Sequence, residues 1–86
     1  MQMIKTRLPE GITGIANLMG MSREEVRAWP YYTEVRGLFK DYNLRALKRE
    51  NLIEKLYDVS LRCANSGIYH YSTGIEKAIA SIRTFY

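Results

Sequence analysis

The sequence predicts an all-α protein, a compact bundle of about five short helices. Apolar residues recur at spacings of three and four along most of the chain, the period of a helix face. Helix start and stop signals punctuate that pattern at regular intervals. Only Ile68-Tyr-His-Tyr71 alternates as a strand would, and it is too short to found a sheet. At 86 residues and 47% hydrophobic, the chain suits one domain with one modest core. The expected layout is an N-terminal arm over 1–11, a two-helix unit over 12–31, and the remaining helices over 32–86.

Each element has a local cause. Pro9 and Gly11 end the arm. The first helix fits 12–19, with Ile12, Ile15, Ala16 and Met19 on one face. Gly20 suits a left-handed residue in a tight turn. Ser22-Arg-Glu-Glu25 reads as a capping box, in which Ser22 accepts a backbone amide and Glu25 reaches back. The second helix runs to Trp29, where Pro30 stops it. A third helix fits 34–42, capped by Thr33, with Val35, Leu38, Phe39 and Tyr42 at helical spacing. A fourth fits 44–65, with Leu44, Leu47, Leu52, Leu56, Val59 and Cys63 near one stripe and a candidate break near Asn51. Asn65-Ser-Gly67 stops it. Residues 68–71 read as an extended connector. Thr73-Gly-Ile-Glu76 then caps a last helix over 74–84, carrying Ile75, Ala78, Ile79 and Ile82 on one face.

Residues 12–31 hold the most specific pattern. Two helices that cross over a short turn need a small residue at the crossing, and Ala16 supplies it. Gly20 follows four positions later at the turn. Ile15, Met19, Met21, Val26 and Trp29 fall at core-facing offsets. With these features, residues 12–31 resemble the helix-turn-helix family of DNA-binding proteins. In that family the second helix enters the major groove. The resemblance implies that Ser22, Arg23, Glu24, Arg27, Ala28 and Tyr31 face DNA, with Arg23 and Arg27 suited to guanine edges or phosphates. Two departures from the pattern are Glu24-Glu25, which bring negative charge toward phosphates, and Pro30, which shortens the reading helix.

Charge gives a second clue. The net charge is +4 and the pI about 9.4. Residues 21–44 balance, with four bases and four acids, so the excess lies outside the two-helix unit. Arg45, Lys48 and Arg49 are expected to share a helix face and to serve as phosphate anchors, or else to form a solvated surface. A chain this short is expected to dimerise for affinity, through its last helix or its aromatic C-terminus.

Three stretches, LPEGITGIANLMGM, NLRALKRENLIEKLY and GIYHYSTGIEKAI, also resemble the lysis-inhibition accessory proteins of T-even phages. That resemblance implies a regulator that binds and inhibits another protein, the cytoplasmic part of a holin or its antiholin, and it transfers no residue-level site. An acidic protein partner would then meet a patch formed by Glu24, Glu25, Trp29, Tyr31 and Tyr32. Of the two functions, a DNA-binding regulator acting on duplex DNA is the first expectation and the protein-binding regulator the alternative.

Other chemistry has little support. His70 and Cys63 are the only soft metal ligands, too few for a metal site. Cys63 falls on an apolar stripe, so a buried thiol is expected in place of a nucleophile. No glycine-rich phosphate loop occurs, and neither an enzyme nor a cofactor is expected. The aromatics of 67–74 suit packing across the mouth of the core better than base stacking. MQMIKTRLPEG lacks the apolar segment of a signal peptide, and no run approaches a membrane span. With its single cysteine, the chain is expected to be cytoplasmic and not inserted in a membrane.

Overall fold

Three turns of one design set the path of the chain. In the computed structural model, which describes residues 7–86, α1 (Ile12–Met19) ends at Gly20 with φ 66°. The Met21 N–H donates back to the Ala16 carbonyl at 3.0 Å. This is the six-to-one closure of a Schellman turn, which needs a left-handed residue. The same closure ends α3 (Tyr32–Asn43), where Ala46 N–H reaches the Asp41 carbonyl and Arg45 takes φ 63°. It recurs after α4 (Arg49–Asn65), where Ile68 N–H reaches the Cys63 carbonyl and Gly67 takes φ 81°.

The described residues form five helices and no strand. α5 (Tyr69–Phe85) packs against α4 and α1, α1 packs on α2 (Arg23–Arg27), and α3 packs on α4. The radius of gyration, 12.4 Å, matches the ~12 Å of a compact chain of this length. Phe39, Ile15, Met19, Leu52, Leu56, Ile75 and Ile82 fill the core. The Ser60 hydroxyl, the one buried polar side chain among the described residues, meets the Ser72 hydroxyl at 2.8 Å between α4 and α5.

Of the arm expected over 1–11, residues 1–6 lie outside the described residues, and residues 8–10 are tied to α3 by the side chains of Asn43 and Arg36. Leu8 is buried, and the Asn43 amide pairs with both its backbone groups at 2.8 Å, as a neighbouring strand would. The same amide donates to the Glu10 carboxylate. That bond, aided by Arg7, holds the Glu10 pKa below its ordinary value.

Four expectations change. α2 ends at Arg27, short of the expected Trp29, because the residue before a proline, here Trp29, is disfavoured in the helical region. α3 starts at Tyr32, so Thr33 lies inside the helix and does not cap it. The fourth helix is broken at 44–48, not at Asn51, and Leu44 is left exposed. Residues 69–71 are not an extended connector. They form the first turn of α5, because Tyr71 completes a buried stripe with Ile75, Ala78, Ile79 and Ile82. Thr73 is therefore internal, its hydroxyl donating to the Tyr69 carbonyl at 3.2 Å.

The shared turn design makes a paired prediction. Gly20→Ala forces a side chain into the left-handed region and is expected to cost about 1–2 kcal/mol. Arg45→Gly relieves the same strain and is expected to raise stability by up to ~1 kcal/mol. Urea unfolding of both variants checks the opposite signs.

Candidate nucleic-acid interface

α2 has one clamped stripe and one open stripe. The box at its start is complete: Glu25 N–H donates to Ser22 Oγ at 3.2 Å, and Ser22 N–H donates to Glu25 Oε1 at 3.2 Å. Val26 and Trp29, three residues apart, point inward and are buried. The Trp29 indole, only 3% exposed, stacks on Tyr71 of α5 with centroids 5.2 Å apart and planes within 4°. Its ring N–H points at the Cys63 sulfur of α4 at 3.4 Å. The Tyr71 hydroxyl donates to the Glu25 carbonyl of α2 at 2.5 Å. One indole thus fastens α2 to α4 and α5, and one phenol ties α5 back to α2.

The clamp continues outward. Tyr31 meets the Trp29 ring edge-on at 6.2 Å, and the Arg62 guanidinium covers Tyr31 at 5.1 Å. Arg62 is held by both oxygens of Glu34, and its Nε lies 3.0 Å from the Asp58 carboxylate without hydrogen-bond geometry there. The Arg62 charge is therefore spent within the fold. Burial pushes the Cys63 thiol above its usual pKa, so it stays neutral and packs as an apolar group. Burial likewise raises the Tyr71 phenol.

The open stripe carries Arg23 and Arg27, one turn apart, with Glu24 and Ala28 beside them, all exposed. Among the described residues, neither arginine has an ion-pair or hydrogen-bond partner. Elsewhere most guanidiniums are engaged. Arg7 pairs with Glu10, Arg36 donates to the Glu10 carbonyl, and Arg83 lies over Tyr57.

The structure separates the other expected site residues. Ser22 is exposed, but its hydroxyl serves the capping box. Tyr31 is half-buried between Trp29 and Arg62, not free in a groove. Arg45, Lys48 and Arg49 do not share a helix face, because the α3–α4 turn runs through them. They are exposed at the far end of α4, where Arg49 stands about 21 Å along the axis from Cys63 at a rise of ~1.5 Å per residue. The expected protein-facing patch is also dispersed. Trp29 is in the core, the Glu25 carboxylate belongs to the cap, and Tyr31 and Tyr32 are half-buried, leaving Glu24 open.

Lys77, which sequence reasoning passed over, lies next to α2, and so does His70, weighed above only as a metal ligand. The Lys77 side chain of α5 crosses Gly20, its Cδ and Nζ within 3.4 Å of where a side chain would begin. His70 lies two turns earlier on the same exposed stripe. Their spacing of seven was legible only once 69–71 was taken as helix. Among the described residues, no three His, Cys, Asp or Glu side chains are grouped to hold a metal, and no helix is long and apolar enough to cross a membrane.

No protein-family model, curated protein or solved structure matches this chain.

Truncation of the clamp gives a graded prediction. Trp29→Ala is expected to cost about 3–5 kcal/mol, the usual range for an aromatic lost from a core. Tyr71→Phe keeps the ring stack, loses only the bond to Glu25, and is expected to cost ~1 kcal/mol. Urea unfolding followed by far-UV circular dichroism checks the order.

Proposed function

We propose that this protein is a small DNA-binding regulator that lays the Arg23–Arg27 stripe of α2 in the major groove of duplex DNA. One observation carries this reading. A helix clamped along its inner stripe presents two guanidiniums, one turn apart and without partners among the described residues, along its outer stripe. Holding the backbone rigid while leaving the charged tips free lets two side chains meet base edges or phosphates without reorganising the fold. Arginine suits both targets, because its planar fork pairs with guanine O6 and N7 or with phosphate oxygens.

The short helix limits what it reads. Five residues at ~1.5 Å each span about 7.5 Å, roughly two base steps. Glu24 accepts from cytosine N4 in such a register. Sequence readout is therefore narrow, and most of the affinity comes from phosphate contacts, which makes it strongly salt-dependent.

The alternative, a regulator that docks on another protein, loses its anchor aromatic, since buried aromatics do not form hot spots for a partner and Trp29 is in the core.

Fluorescence anisotropy of a labelled random-sequence duplex across a salt series tests the proposal. Binding at low salt that weakens steeply as salt rises is expected. Arg23→Ala with Arg27→Ala should weaken binding about tenfold or more and leave the helical signal intact. A wild-type chain that ignores duplex at low salt overturns the function. A double variant that binds as before overturns the assignment of α2.

A further inference from the structure

A groove of about 270 Å³ runs between the α1–α2 turn and the exposed stripe of α5. Gly20 and Glu25 lie on one side, and His70, Thr73 and Lys77 on the other. The two sides are close because Gly74 has no side chain. A Cβ there would come within 2.9 Å of the Met21 sulfur and 3.2 Å of Met19 Cβ. The start of α2 and the first two turns of α5 are thus neighbours, and a ligand lying along one borders the other.

The polar groups around this groove differ in what they have left to offer. The Thr73 hydroxyl hydrogen is used by the Tyr69 carbonyl. Glu25, the acid of the groove, has its Oε1 occupied by the Ser22 N–H and hydroxyl. Lys77 keeps its ammonium without an acidic partner among the described residues, directly over the turn. His70 is exposed, its ring 4.2 Å from that of Tyr71. The two α5 residues stand about 10.5 Å apart along the axis.

We infer that Lys77, with His70 two turns away, holds the sugar-phosphate backbone of the duplex whose groove α2 enters, an assignment that rests on the DNA-binding function proposed above. It replaces the basic residues at 45–49 as the phosphate anchor, since those lie at the opposite end of α4. A purely structural role for Lys77 is the competing account. Its ammonium lies at the C-terminal end of α1, where the helix dipole favours a cation. Such a role appears in stability and not in DNA affinity.

The test compares salt dependence among variants of the whole chain. The wild-type slope of log Kd against log salt is measured with a random-sequence duplex. Lys77→Ala is expected to lower that slope by about one, the value of one phosphate contact. Binding to every duplex sequence should weaken by a similar factor, about five- to tenfold. Lys77→Arg should restore both, and a triple Arg45→Ala, Lys48→Ala, Arg49→Ala variant should keep the wild-type slope. Urea unfolding of each variant establishes that it is folded. A Lys77→Ala protein with wild-type slope overturns the inference while leaving the function of α2 standing, and so does a slope lost in the triple variant alone. A Lys77→Ala protein that loses stability but no affinity assigns the residue to the α1 dipole and overturns it too. A wild-type chain that binds no duplex removes both proposals together.

Discussion

The contact between the Trp29 indole and the Tyr71 ring carries more of this structure than its area suggests. α2 is a helix of five residues, far below the length at which a helix is stable by itself in water. Its capping box satisfies its first amides, but the box does not fix where the helix points. Trp29 does that, by stacking on α5 and directing its ring N–H at α4. The position of the residue matters as much as its size. α2 ends at Arg27, and Trp29 follows it just before Pro30, so the chain turns into α3 with the ring already committed to the core.

The cations sort by place and partner. Arg7, Arg36, Arg62 and Arg83 are tied to carboxylates, carbonyls or rings and serve the fold. Arg23, Arg27 and Lys77 stand around the α1–α2 turn without acidic partners among the described residues. Arg45, Lys48 and Arg49, exposed at the α3–α4 turn, are also without acidic partners among the described residues. A net charge of +4 says little alone. Free cations placed around one rigid turn make a surface fit for a polyanion, because no existing pair must be broken before a new one forms.

What the sequence disclosed follows the range of the forces involved. α1, its Gly20 turn and the Ser22–Glu25 box are legible because each is decided within a few neighbouring residues. The turn at Arg45 was hidden because it uses the geometry of Gly20 without a glycine; only the helix packing forces an arginine into it. The start of α5 was hidden because Tyr69-His-Tyr71 alternates locally, while the demand for Tyr71 comes from Trp29, 42 positions away in the chain. The candidate site divides the same way. Arg23 and Arg27 came into view through the resemblance of residues 12–31 to a helix-turn-helix. The double duty of Ser22 and Tyr31, and the presence of Lys77 beside the turn, arise only when distant elements meet.

The end of the molecule built around the α1–α2 turn is the one proposed to face DNA. Backbone amide shift mapping by NMR, during titration with a random duplex at low salt, tests it most directly. Shifts are expected across residues 20–28 and 70–77, with the Trp29 indole N–H unmoved because it points at Cys63 in the core. Shifts confined to residues 45–49, or no shifts at all, would contradict it.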